Sequence, residues 1–346
     1  MAVLAPPDTV YEDLTPGQLA FIQATVPLTA RGLGLHASIT TTPMDGGKLR
    51  ALIRFGGAPA PVAAGAPAAA APAVRAMVAA GTAIDFKAGG QPLTQADFDS
   101  ALAELGGIEA DLLWALLYQE GGTPPVGYLN DRRPKILFER HHFSRLTGHR
   151  YDASHPDISG PAYTAYGTLQ QQYDRLTLAM TLDEDAALQA CSWGIAQVLA
   201  ESAADLGYGT ARAMVQEMIA SEGAQLDACV RFVRRADAAA SLAAKDWEGF
   251  AAKYNGPGNV VAYGGSLEGH YTAMRNARDK PDLGVRAAQL ELTYLNHPVG
   301  IDGIAGRHTA DAVRAFQTLA GLKPADGVLN AAMFAAIEQA AFPGGK

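Results

Sequence analysis

Between Ala58 and Ala73 the chain reads APAPVAAGAPAAAAPA, sixteen residues in which valine is the largest side chain. Such a run has nothing to bury in a core. Its prolines, at 59, 61, 67 and 72, remove backbone donors and hold the chain semi-extended. The chain must therefore divide here, and 58–83 reads as a Pro/Ala-rich linker. A length of 346 residues suits two or three domains.

Composition narrows what those domains do. The apolar fraction, 49%, is enough for real cores, and a net charge of −8 excludes a protein built to neutralise phosphates. The charge is uneven. Arg132, Arg133, Lys135, Arg140, Arg145 and Arg150 crowd one strip with His141, His142 and His149, which suits an anionic ligand or a solvated loop face. Cys191 and Cys229 show neither metal spacing nor a disulfide framework and read as buried thiols. The N-terminal MAVLAPPDTVYEDL lacks a basic start and an apolar core, so no signal peptide is expected. No membrane-spanning run is visible either.

Along the chain, 1–57 reads as a small mixed region of unknown role. It holds a short helix over Thr15–Ala24 and strands over Ser38–Thr42 and Leu49–Phe55, parted by the turn Asp45-Gly46-Gly47. Residues 84–279 read as mainly helical. Thr94 and Asp97 form a capping-box pattern, and a helix striped by Ile108, Leu112, Leu113, Leu116 and Leu117 ends at Gly121-Gly122. A turn-rich run leads to a strand over Ile136–Phe138 and an irregular stretch to about 165. Helices are expected at 169–180, 184–191, 194–199, 210–222, 225–235, 242–253 and 267–278, with Asp183 and Ser266 as N-caps. Residues 280–346 read as a small three-helix unit whose loops DGIAG and DGVLN echo each other.

Two acids stand out. Glu120 sits at the end of an apolar helix, where the macrodipole and desolvation both favour the protonated carboxyl, as a general acid requires. Glu139 closes the strand among Arg140, His141 and His142, and suits a second carboxylate or an ion pair with those bases. Asp131, Asp152 and Asp157 compete for the second role. The histidines, with His155, are numerous enough for zinc, but no HExxH pattern occurs, and polar loop contacts are the better reading. In Ser192-Trp193-Gly194-Ile195-Ala196-Gln197, glycine allows close backbone approach, Gln197 can hydrogen-bond a ligand and Trp193 can stack on a sugar. Lys253-Tyr254-Asn255-Gly256-Pro257 reads as a helix terminator.

An acid at a helix end, then G-x-x-Q, then Tyr-Asn closing a helix resemble, in that order, the signatures of goose-type lysozymes and lytic transglycosylases. RPKILFERHHFSRLTGHRYD, SWGIAQV and DWEGFAAKYNGPG resemble more closely the N-acetylmuramidase domain of phage endolysins, over about residues 100–279. The resemblance implies that Glu120 is the catalytic acid, that Gln197 lines the cleft and that Tyr254 supports the acid. The sequence departs at Gly121, where that superfamily usually has serine. PVGIDGIAGRHTADAVRAFQTLAGL with ADGVLN resembles the peptidoglycan-binding domain of cell-wall hydrolases.

The expectation is thus a mainly α, α+β lysozyme-like domain over 84–279 with a small β region, followed by a three-helix peptidoglycan-binding domain over 280–346. It would cleave the β-1,4 bond after N-acetylmuramic acid. Glu120 and Glu139 are the catalytic candidates, and Trp193, Gln197, Tyr254 and Asn255 the cleft-lining ones. No cofactor and no metal are assigned. The partner is bacterial peptidoglycan, the protein a monomer made in the cytoplasm and delivered to the wall by a holin or by injection. A lytic transglycosylase and a non-catalytic wall-binding or virion protein are the rival readings.

Overall fold

The computed structural model describes residues 9–14, 35–43, 49–57, 83–163 and 166–344, and the chain divides into two compact units, 1–80 and 81–346. In the first, strands β1 (Thr9–Leu14), β2 (Leu35–Pro43) and β3 (Leu49–Gly57) form an antiparallel sheet in the order β1-β3-β2. Ile53 of the central strand pairs with Thr9 on one side and Ile39 on the other. The two expected strands are present, each longer than its sequence pattern. β1 escapes that pattern because Glu12 and Asp13 are poor strand formers, and a register shift between Tyr11 and Leu14 accommodates them. The helix expected over Thr15–Ala24, the Asp45-Gly47 turn and all but the last residue of the 58–83 linker lie outside the described residues.

The second unit is built around one helix. α1 (Gln95–Glu104) carries the complete Thr94–Asp97 capping box and leads into α2 (Ala110–Gly121). In α2, Leu112, Leu113, Ala115, Leu116 and Leu117 are at most 1% exposed and Trp114 is 6% exposed, so the helix is buried almost all round, not along one stripe. A small antiparallel sheet, β4 (Ile136–Phe138), β5 (Cys191–Trp193) and β6 (Val198–Leu199), packs beside it. Around these lie α3 (Arg140–Leu146), α4 (Leu169–Leu182), α5 (Glu184–Gln189), α6 (Ala211–Ala220), α7 (Glu222–Arg235), α8 (Ala239–Ala243), α9 (Trp247–Tyr254) and α10 (Val260–Asn276).

Four sequence expectations fail here. Residues 194–199 are not a helix but the turn and last strand of the sheet, because β5 pairs with β4 on one edge and the chain folds back to pair β6 on the other. The stretch after Glu139 is not all irregular, since α3 buries Phe143. The helix expected over 242–253 is two, parted where Lys245 adopts φ 58°, and Asp246 caps the second. Ser266 is interior to α10, where its hydroxyl donates to Gln119 Oε1 at 2.7 Å, and so is no N-cap. Asp183 does cap α5.

The C-terminal helices α11 (Leu283–Tyr294), α12 (Arg307–Leu319) and α13 (Ala331–Ala341) enclose a small core of Ala288, Leu292, Val313, Phe316 and Ile337. The echo between DGIAG and DGVLN is a repeated device. Gln289 donates to Asp302 Oδ1 and accepts from Gly303 N, while Gln317 donates to Asp326 Oδ1 and accepts from Gly327 N. Each aspartate also accepts from the backbone N–H two residues on, and each glycine holds a positive φ, 75° and 77°.

These helices are not tethered loosely to the rest. Arg286 and Glu222 are 1% and 0% exposed and form a two-armed ion pair, while Glu222 also accepts from the backbone N–H of Leu93 and Gly127. Tyr128 packs with Leu290 and Ile301, Tyr294 donates to Gly90 O at 2.9 Å, and Arg132 lies over the rings of Tyr294 and Phe342. Removing one partner of a buried pair strands the other charge. Glu222→Ala is therefore expected to lower the unfolding free energy by about 3–5 kcal/mol. A loss below about 1 kcal/mol in urea denaturation would mean that the pair does not hold the module.

Candidate active site

Glu120 is the penultimate residue of α2, and α10 lies alongside that helix. The Tyr263 hydroxyl of α10 donates to Glu120 Oε1. Burial raises the Glu120 carboxyl to about 7, against the opposing pull of that hydrogen bond. Behind this pair sit Tyr254 and Cys229, with the Tyr254 hydroxyl 3.9 Å from the sulfur. Burial, with the negative charge of Glu120 added, pushes the Cys229 thiol up to about 12 and holds the Tyr263 and Tyr254 hydroxyls well above the usual phenol range. A carboxyl in such surroundings is poised to give a proton near neutral pH.

The end of α2 is clamped from the sheet side. Lys135 donates through Nζ to Gly121 O at 2.6 Å, and its own carbonyl accepts from Gly194 N at 2.8 Å. Gln197, at φ 50°, donates to Gly194 O at 2.7 Å and to Lys135 O at 3.3 Å. Ile195 N is held by the buried Gln225 side chain at 2.8 Å. The turn presses so closely that a Cβ on Gly121 would lie 2.1 Å from Ile195 O. That approach is the physical reason for glycine after Glu120, where the resemblance to lysozyme-type enzymes implies serine.

Glu139 occupies the N-cap position of α3 without a side-chain capping bond, and its side chain is only 20% exposed. The Tyr166 hydroxyl donates to its Oε2 at 3.4 Å, and His141 Nδ1 is 3.6 Å from the same oxygen. Glu139, His141 and His142 can bring three ligand atoms within 4.8 Å of one another. Two of the competing acids, Asp131 and Asp152, are committed elsewhere. Asp131 binds Arg133 and Lys87, and Asp152 accepts from Ser144 and Ser159, whose hydrogen bonds hold its carboxyl below the usual range.

Residues 109–275 match the N-acetylmuramidase family model, and residues 282–337 match the model described as a putative peptidoglycan binding domain. The chain belongs to the N-acetylmuramidase family. It is a peptidoglycan hydrolase, a glycoside hydrolase of the muramidase kind, and it carries a peptidoglycan-binding module. A crystal structure titled as the Burkholderia AP3 phage endolysin is 33% identical, over 53% of this chain and 70% of that one, with a TM-score of 0.47. A comparison with curated proteins finds no match.

Within this muramidase, the sequence candidates fare unequally. Trp193 cannot stack on a sugar: it is 0% exposed, stacks on Phe86 and donates through Nε1 to Leu188 O. A tyrosine does bond the acid, but it is Tyr263, while Tyr254 stacks on Phe250 behind it. Asn255 is exposed and closes α9, with its backbone N–H on Ala251 O. Gln197 lies in the turn beside Gly121, its amide nitrogen engaged internally. The basic strip is also spoken for: Arg132 bonds Ala341 O, Arg133 Asp131, Arg140 Pro156 O, Arg145 Glu201 and Arg150 Thr147 O. Tyr263 and Lys135 escaped the sequence reading because each meets the acid region only through tertiary packing.

Two outcomes follow. Gly121→Ser forces Ile195 aside and is expected to cost about 1–3 kcal/mol, read as a lower melting temperature; an unchanged value would deny the close approach. Glu120 holds its proton more tightly folded than unfolded. The stability this lends is fully present below pH 4.5 and is lost as pH rises through about 7. Glu120→Gln, a neutral stand-in, is thus expected to exceed the wild type by about 3 kcal/mol at pH 8 and to match it near pH 4. Equal stability at both pH values would show a hydrated carboxylate.

Proposed function

We propose that Glu120 is the general acid of an endolysin-type muramidase that cleaves the β-1,4 bond between N-acetylmuramic acid and N-acetylglucosamine. The observation that carries this is a carboxyl raised to about 7 and aimed by the Tyr263 hydroxyl at the end of a buried helix. Protonated, it gives its proton to the departing glycosidic oxygen, and the carboxylate left behind can then serve as a base. Glu139 is the second carboxylate, stabilising charge at the anomeric carbon or orienting water. Among the described residues its carboxylate has long contacts, to Tyr166 and His141, which supports it over the ion-paired Asp131 and the doubly hydrogen-bonded Asp152. The turn carrying Gln197 walls the cleft beside Glu120, with Tyr254 backing the acid and Asn255 at the exposed end of α9.

The C-terminal module holds the enzyme on the wall. A cavity of about 580 Å³ opens between α11 and α12, with His297, Asp302, Arg307, His308 and Asp311 among its lining residues, polar chemistry suited to glycan and stem peptide. The pairing of this module with a muramidase domain supports action on the wall. Among the described residues no helix is long and apolar enough to cross a membrane. Delivery to the wall by a holin pore or an injection apparatus belongs to the same endolysin-type reading.

Mass spectrometry of digested wall tests the reaction. Fragments ending in reducing muramic acid are expected, and fragments lighter by one water would instead make the chain a lytic transglycosylase. Glu120→Gln should lose at least about a thousandfold in wall clearing while still sedimenting with wall fragments, and wild-type activity should fall as pH rises through about 7. Retained clearing by this variant would remove Glu120 from the role.

A further inference from the structure

Glu139, His141 and His142 occupy positions two, four and five of the FERHHF segment, spanning the N-cap and first turn of α3. Their ligand atoms fall within 4.8 Å of one another, and the measured pair, Glu139 Oε2 and His141 Nδ1, is 3.6 Å apart. Donors sharing one zinc ion at bonds of about 2.0–2.2 Å lie roughly 3–4 Å apart, so small side-chain adjustments suffice. His141 Nδ1 is buried and makes no hydrogen bond, the state of a donor with its lone pair or proton uncommitted.

His142 supplies a second, independent observation. Its Nδ1 lies 2.8 Å from Glu201 Oε2 and 3.1 Å from Arg145 Nη2, and with the ring proton on Nδ1 toward Glu201, Nε2 is the nitrogen that can take a metal. A carboxylate fixing the far nitrogen of a histidine is the arrangement that orients and strengthens metal-binding imidazoles. Arg145, the nearby cation, is spent on both oxygens of Glu201 at 2.7 and 2.6 Å, so its charge is offset where it stands. Two imidazoles and one carboxylate on one helical turn, with remaining positions open, match borderline ions better than magnesium or calcium, which favour oxygen donors.

We propose that Glu139, His141 and His142 bind a divalent ion of the zinc class, with Glu201 orienting His142, and that the ion competes with glycan for the Glu139 carboxylate. The site is therefore inhibitory: zinc on Glu139 removes the second carboxylate from the cleft. That competition rests on the place of Glu139 proposed above, whereas binding of the ion does not, so the two fail separately.

Calorimetric titration of the full chain with zinc sulfate, with magnesium chloride as control, is the test. The expected result is one equivalent of zinc, no heat with magnesium, and affinity at least about tenfold weaker in His141→Ala, His142→Ala and Glu139→Gln. Should a histidine variant fold poorly, Glu201→Gln keeps all three donors and is expected to weaken zinc by about ten- to a hundredfold. A wild type that takes up no zinc, or unchanged affinity across the donor variants, overturns the site. In wall-clearing assays zinc should slow the wild type, and His142→Ala should need at least about tenfold more zinc for the same effect. Equal zinc sensitivity overturns the competition.

Discussion

A helix buried on nearly every side holds a carboxyl at its last turn largely out of water, and the acid role proposed for Glu120 rests on that constraint. α2 runs through the core with Leu113, Leu116 and Leu117 at 0% exposure, and Glu120 is delivered where it ends. Desolvation makes ionisation expensive, so the proton stays on at near-neutral pH. The Tyr263 hydrogen bond works against that shift while aiming the group, a compromise between a carboxyl that holds its proton and one that points where it is needed.

The rest of the catalytic region is arranged to hold the end of α2 still. Lys135 reaches the Gly121 carbonyl from the sheet, and its backbone ties the Gly194–Gln197 turn to the same place. Such clamping matters because general-acid chemistry depends on placement to a fraction of an ångström. It also explains a substitution that looks like a defect in sequence: a side chain at 121 would strike the Ile195 carbonyl, so glycine is the residue that lets the clamp close.

Burial also joins the two modules that the sequence separates. The sequence reads 280–346 as a separate small unit, yet Arg286 and Glu222 are sealed between the catalytic body and the wall-binding helices. A charge pair so placed favours one docking arrangement, since any slip exposes an uncompensated charge to an apolar environment. Arg132, which looked in sequence like a contact for anionic ligand, is part of the same seam.

Local signals carried much of the fold. The capping box at Thr94, the apolar run of α2, the Gly-Gly stop, the Asp183 cap and the paired Asp-Gly loops are short-range physics, legible wherever neighbours in sequence are neighbours in space. The place of Glu120 at the end of a buried helix was legible for the same reason, since the helix end and the apolar approach to it both lie within one segment. What the sequence alone could not decide were groups whose role depends on distant partners. Trp193 looked like a sugar platform until β5 folded it inward. Tyr263, 143 residues from Glu120, carries no mark of its task. Gly121 is explained only by Ile195. Short strands and side-chain contacts across long loops are settled by tertiary packing, because their stabilising energy comes from partners that a local window never contains.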